Sequence, residues 1–200
     1  MSKPAPQRLI VGISGASGVV YGVRLLEALR GAAVETHLVM SKPAEMALAY
    51  ETDLKPKDIR KLATITYAVG DVGAAISSGS FQTMGMIILP CSIKTMSEIA
   101  TGVTGTLLSR AADVCLKERR RLVVAIRETP LHAGHLRNLT ALSELGAIIA
   151  PLVPAFYTRP KTIDDIVNHS VGRLLDLFGI ETDLVKRWRN SETKGSLADE

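Results

Sequence analysis

The sequence predicts an α/β fold built on a parallel sheet, and three observations predict it. A short apolar run, Leu9-Ile10-Val11, leads into Gly12, Gly15 and Gly18, and an amphipathic helical pattern follows at once. Further apolar runs of strand length then alternate with helical patterns along most of the chain, which is how parallel strands with covering helices are written. Two hundred residues with 46% hydrophobic and 22% charged content suit one globular domain with a sizeable core, and a mean hydropathy of +0.20 leaves apolar surface for subunit interfaces.

Taken in order, residues 1–7 are a polar, proline-containing lead-in. Residues 9–11 read as a strand covered on both faces. In the helix that follows, Val20, Val23, Leu25, Leu26 and Leu29 make one stripe, with Arg24, Glu27 and Arg30 away from it. Residues 34–40 are a second strand, ending at Ser41-Lys42-Pro43, where a helix starts and runs to about Tyr50. Residues 55–63 are a short helix, and the Gly-, Ala- and Ser-rich residues 67–80 a loop with a weak strand. Residues 85–89 are a strand stopped by Pro90, followed by a helix to about Ala100 and a second over 106–119. Residues 122–126 are a strand, 131–145 a helix with leucines at 131, 136, 139, 142 and 145, and 147–150 the next strand. Residues 162–178 are the last helix, opened by Thr162 and Asp165 spaced as a capping box. A single domain is expected over 1–190 with a polar tail over 191–200.

Such sheets bind ligands beyond the carboxyl ends of their strands, near a topological switch point. The residues following successive strands are Ser14 to Gly18, Ser41, Ser92 to Thr95, Arg127-Glu128 and Phe156-Tyr157. Hydroxyls, backbone N–H groups and one arginine on one rim suit a phosphorylated, oxygen-rich aromatic ligand such as FMN. The G-x-x-G-x-x-G spacing is neither the dinucleotide nor the P-loop pattern. It reads either as an anion-holding turn at a helix N-terminus or as a plain tight strand–helix turn. Other classes are disfavoured. Aromatic content of 4% and a scattered net charge of +4 argue against nucleic acid. Two cysteines and four histidines form no zinc-like spacing. The N-terminus lacks a signal-peptide core and no apolar run reaches membrane-spanning length, so a cytoplasmic protein without bound metal is expected.

Seven blocks carry a resemblance: G-x-S-G-A-S-G at 12–18, E-T-D at 51–53, S-G-S at 78–80, P-C-S-x-K-T at 90–95, R-A-A-D-V-x-L-K-E at 110–118, R-E-T-P at 127–130 and P-A-F-Y at 154–157. In this order, from about Leu9 to Trp188, the chain resembles the flavin prenyltransferases, the UbiX-like proteins. The resemblance implies a flavodoxin-like Rossmann three-layer sandwich, FMN, and transfer of a dimethylallyl group from dimethylallyl phosphate onto N5 and C6 of reduced flavin. It implies that the prenylated FMN serves a UbiD-type decarboxylase, and that the protein is a homo-oligomer, typically a dodecamer, with sites shared between subunits. The rival readings are an FMN-dependent cysteine decarboxylase of the same superfamily, for whose catalytic His and Asn-bearing loop the sequence has no counterpart, and a non-catalytic FMN carrier.

The resemblance also implies roles. Gly15, Ala16, Ser17, Ser41, Ser92, Ile93, Lys94, Thr95 and Arg127 match flavin contacts, with Ser17 within reach of N5. Lys94 departs from the pattern, other members having a small residue there. Glu51 matches a carboxylate acting near the flavin; from the residues alone it is equally a surface acid at a helix end. Arg110, Lys117, Tyr157 and Arg173 match the groups that hold the donor phosphate, with Glu128 tuning them or moving protons. Arg110, Asp113 and Lys117 lie on one helix face and read otherwise as a solvated charge ladder, while Glu118 and Arg119 to Arg121 are expected on the surface. Ser78-Gly79 is expected either to line the prenyl pocket or to be a flexible turn. His132, His135 and His169 are expected to be structural, Cys91 to be packing, and the acidic Asp164-Asp165 to belong to a helix start.

Overall fold

The computed structural model describes residues 7–185. It divides into two compact units, 1–152 and 153–200; the tail expected from Ser191 lies outside the described residues, as does Trp188.

The first unit is a six-stranded, all-parallel sheet in the order β3-β2-β1-β4-β5-β6. The strands are β1 (Gln7–Ile13), β2 (Val34–Met40), β3 (Ile65–Tyr67), β4 (Gly85–Cys91), β5 (Arg121–Ile126) and β6 (Ile148–Ile149). Without the three-residue edge strand β3, the order is that of a flavodoxin-like sheet; with it, that of a Rossmann sheet. The order grows outward in opposite directions from β1 and β4. Right-handed crossovers therefore put α1 (Val19–Leu29) and α2 (Lys42–Glu51) on one face and α4 (Ile93–Ala100), α5 (Leu107–Lys117) and α6 (Ala133–Glu144) on the other. A short α3 (Pro56–Arg60) precedes β3.

The central strand β4 is buried at all seven positions, as a strand covered on both faces must be. The stripe of α1 closes on the sheet through Val19, Val23, Leu25, Leu26 and Leu29. Across the sheet, Met86, Ile88, Leu122 and Val124 pack with Leu107, Leu108, Ala111 and Cys115 of α5. Two expectations are corrected. Pro90 lies inside β4 rather than ending it, because the β4–β5 ladder shifts register between Ile88 and Cys91, and its carbonyl is used by Ser14. The leucine stripe of α6 is only partly used: Leu142 is buried while Leu136 and Leu145 are half exposed.

The second unit carries α7 (Ile163–Asp176). Its capping box is formed as spelled, with Thr162 Oγ1 accepting from Asp165 N at 3.1 Å and Asp165 Oδ2 from Thr162 N at 3.0 Å.

Candidate active site

The order of strands reverses between β1 and β4, so their carboxyl ends form the crevice where such sheets take ligands. One fully buried side chain ties the two ends together. Ser14 Oγ donates to the Pro90 carbonyl at 3.1 Å and accepts the Ser92 N–H at 2.7 Å, while Ser14 N also donates to Pro90 O at 3.1 Å. Ser92 in turn caps α4, its Oγ accepting from Thr95 N at 3.3 Å. Ser41 caps α2 at the next strand end, accepting from Ala44 N at 3.2 Å.

Three helix N-termini thus open on this rim, but one is already taken. Gly18 adopts φ 95°, where a side chain is strained, and Glu51 Oε2 accepts the N–H groups of Gly18 at 2.9 Å and Val19 at 3.0 Å. The Glu51 carboxylate, expected near the flavin, is the cap of α1. It complements the helix dipole there, leaving α2 and α4 as the dipole ends open to a ligand phosphate. Ser17 is exposed on the turn between, flanked by half-buried Gly15 and Ala16. A Cβ on Gly15 would run into Pro43, within 3.1 Å of its backbone carbon. Ile93 is half-buried at the start of α4, and Lys94 points along its outer face to Glu98 at 2.7 Å. Arg127 and Glu128 follow β5, both exposed, with Arg127 N bound to Cys91 O at 3.1 Å. The donors and dipole ends fit the phosphate and polar ring edge of FMN.

Lys117 stands elsewhere. It ends α5, four residues before β5 begins, and so lies at the amino ends of the strands. Its Nζ bonds Glu118 Oε1, and a Cβ on Gly79 would come within 2.9 Å of it. The hydrogen bond from Lys117 holds the Glu118 carboxyl below its usual range. Two turns up the same face, Arg110 donates to Ser77 O at 3.3 Å and to Asp113 at 2.7 Å. Arg110 and Lys117 thus both lie against the segment 77–79. Arg120 is not on the surface: half-buried, it donates to the carbonyls of Gly79 and Phe81 and holds that segment. Nothing in the run Lys117 to Arg121 distinguishes it from its neighbours, so the sequence carries no signal for it.

In the second unit, Tyr157 hydroxyl lies 3.0 Å from Nε2 of buried His169, and Arg173 pairs with Asp176 at 2.6 Å. Each of the three cations expected at the donor phosphate therefore has a carboxylate of its own element or turn: Arg110–Asp113, Lys117–Glu118 and Arg173–Asp176.

The Flavoprotein family model matches residues 2–175. A flavin prenyltransferase UbiX from Thauera aromatica is 56% identical over 187 residues, which are 94% of this chain and 96% of that one. The chain belongs to the flavin prenyltransferase family. A crystal structure of AnUbiX in complex with FMN and dimethylallyl pyrophosphate aligns with a TM-score of 0.91 and 49% identity over 93% of this chain and 99% of that one. A dodecameric FMN-dependent UbiX-like decarboxylase from Escherichia coli O157:H7 aligns with a TM-score of 0.90 and 50% identity, covering 92% of this chain and 100% of that one.

Two groups are inert in this flavin prenyltransferase fold. Burial pushes the thiols of Cys91 and Cys115 up to about 12, so neither supplies a thiolate nucleophile near neutral pH. Among the described residues no group of three or more His, Cys, Asp or Glu is placed to hold a metal ion, and no helix is long and apolar enough to cross a membrane.

Proposed function

We propose that this protein is a cytoplasmic flavin prenyltransferase that joins the dimethylallyl group of dimethylallyl phosphate to FMN. What carries the reading is near-full-length identity above one half to a flavin prenyltransferase, together with a solved relative that holds FMN and a dimethylallyl donor in the same fold. Bound reduced FMN supplies the nucleophilic N5 and the C6 position that closes the new ring.

The chain's own residues do the rest. Gly15, Ala16, Ser17, Ser41, Ser92, Ile93, Lys94, Thr95 and Arg127 hold and orient the flavin, with Ser14 setting the spacing of the two turns that grip it. Ser17 is placed to hold a proton at the ring edge, and Glu51 fixes the turn that carries Ser17. Arg110, Lys117, Tyr157 and Arg173 bind the departing phosphate. Positive charge and hydrogen-bond donors fixed in advance stabilise charge as it develops there, and guanidinium groups grip phosphate oxygens in pairs. Glu128 shuttles protons in the completed site, and Ser78-Gly79 line the prenyl pocket. The carboxylates of Asp113, Glu118 and Asp176 keep the three cations oriented until phosphate takes their place.

Lys117 and Arg127-Glu128 stand at opposite ends of β5, about 20 Å of strand apart at 3.3 Å per residue, which is far beyond the reach of a lysine. A complete site therefore takes Lys117 from a neighbouring copy, in a homododecamer like that of the solved relative. A UbiD-type decarboxylase receives the product. We further propose that residues 1–190 act as one FMN-binding domain.

The test is the mass of the flavin after incubation of the protein with reduced FMN and dimethylallyl phosphate in EDTA. The flavin is expected to gain one five-carbon prenyl unit. Unchanged flavin mass with FMN bound would make the protein a carrier and overturn the reading. A strict requirement for magnesium would overturn the assignment of phosphate charge to Arg and Lys alone.

A further inference from the structure

The strongest unassigned feature is His169, which the sequence alone reads as structural. It lies on α7 with 8% of its surface exposed, and its Nε2 is 3.0 Å from the hydroxyl of Tyr157, whose ring it meets edge-on at 5.6 Å between centroids and 84° between planes. Tyr157 is half exposed, so one end of the hydroxyl meets buried imidazole while the ring reaches the surface. Arg173 follows His169 by four residues, one helical turn along the same face.

We infer that His169 is a positioning residue for the prenyl donor: its Nε2–H donates to the Tyr157 oxygen, so that the phenol's hydrogen is directed to the donor's phosphate. This rests on the reading of Tyr157 as a phosphate contact. The chemistry decides the tautomer. A phenol has one hydrogen and a phosphate oxygen offers only lone pairs. If the imidazole accepted the phenol's hydrogen, the Tyr157 oxygen would face phosphate with lone pairs against lone pairs. With Nε2–H as donor, the phenol's own hydrogen is not spent on the histidine. The hydrogen bond into its oxygen also polarises the O–H and strengthens its donation. Burial, reinforced by the charge of Arg173, holds the imidazole below its usual range. His169 is therefore neutral at pH 7 and adds no cation to a site that Arg173 already supplies. It fixes direction rather than charge, as a histidine behind a reacting group does when its tautomer is set by its partner.

A double-mutant cycle tests this, with turnover and the KM for dimethylallyl phosphate measured on the assembled, FMN-loaded protein. His169→Phe keeps the ring but removes the donor, and is expected to raise that KM about tenfold or more while FMN affinity stays unchanged. In a Tyr157→Phe background the same change is expected to have no further effect, because there is no hydroxyl left to direct. His169→Gln, which restores an N–H, is expected to recover much of the loss. His169→Leu serves the removal arm if the phenyl ring does not fit. Equal effects of His169→Phe with and without the Tyr157 hydroxyl, or wild-type donor kinetics in both removal variants, would overturn the proposal while leaving Tyr157 in place. Wild-type kinetics in Tyr157→Phe itself would overturn the reading of Tyr157, and this proposal with it.

Discussion

At the scale of single residues, the roles of Glu51 and Ser14 are set by which backbone groups they satisfy. Glu51 lies 33 residues from the N–H it caps, so its service to α1 is a stability term present even without flavin. Capping contacts of this kind are each worth about 1 kcal/mol. Glu51→Ala is therefore expected to lower the melting temperature of the FMN-free protein by several degrees; an unchanged apo midpoint would show that the contact carries no stability. Ser14→Ala removes the acceptor of the Ser92 N–H and one donor to Pro90. Leaving such groups unpaired costs about 1–3 kcal/mol, and because Ser92 opens the turn after β4, FMN affinity is expected to fall with it. Titration of the variant with FMN checks this, and a normal Kd would separate Ser14 from the cofactor turn. The sequence spelled out hydroxyls after strands and so pointed to the rim. It could not show that Ser14 binds inward to another turn 78 residues away, that Glu51 caps a distant helix, or that Arg120 rather than its neighbours turns inward. Those are tertiary pairings, and no local pattern encodes them.

At the scale of elements, strand and helix periodicity was legible almost throughout, because each element is covered on a face that its apolar residues declare. The weak spots were β4, whose ladder shifts register and so tolerates Pro90, and β3, three residues at the sheet edge. The glycine spacing was visible while its cause was not. Gly18 needs its left-handed backbone, whereas Gly15 is required because the turn after β1 presses on Pro43 at the start of α2. Gly15→Ala must push these two elements apart, since a Cβ would meet the backbone of a proline that cannot easily yield. FMN binding is expected to fall at least tenfold with secondary structure retained by circular dichroism; wild-type affinity would mean that the two turns do not share the ligand. On β2, buried His37 lies 2.9 Å from both Tyr67 hydroxyl and Glu35. Burial lowers its pKa from 6.5 despite the opposing pull of Glu35. The unfolded chain therefore takes up the proton at higher pH than the folded one, so ν_U exceeds ν_N and stability is lost as pH falls below about 6.5, by at most about 1.4 kcal/mol per pH unit for one such group. His169 adds the same sign. Urea midpoints across pH 5–7 are expected to fall toward acid, and to fall less steeply in His37→Asn; equal slopes would remove His37 from the acid limb.

At the scale of the whole molecule, the first unit of one chain holds Lys117, proposed to bind the donor phosphate, and the residues proposed to hold the flavin at opposite ends of β5. Ser17, Ser41, Ser92, Arg127 and Glu128 open at the carboxyl ends, while Gly79 and Lys117 close the amino ends. The resemblance implies sites shared between subunits, but motif order along the chain does not say which residues a neighbouring copy would supply. The division makes a prediction that a self-contained monomeric site cannot meet. Lys117→Ala subunits retain the flavin side and lose the donor cation; Ser41→Ala, Arg127→Ala subunits retain Lys117 and lose the flavin side. Each variant alone is expected to be nearly inactive. Coexpressed with different affinity tags and purified through both, the mixed oligomers contain some sites that draw the flavin side from one variant and Lys117 from the other. With random assembly and one neighbour completing each site, about a quarter of the sites are intact, as closed symmetry makes every interface equivalent. Prenylated FMN is therefore expected at about that fraction of the wild-type rate, and mass spectrometry of the doubly tagged fraction confirms that both subunits are present. Mixed oligomers no more active than the better single variant would place Lys117 and the flavin in the same chain's site, or remove Lys117 from the chemistry. A rate well above a quarter would show that the neighbour's lysine is replaceable by another cation, for which Arg110 on the same helix face is the first candidate to remove.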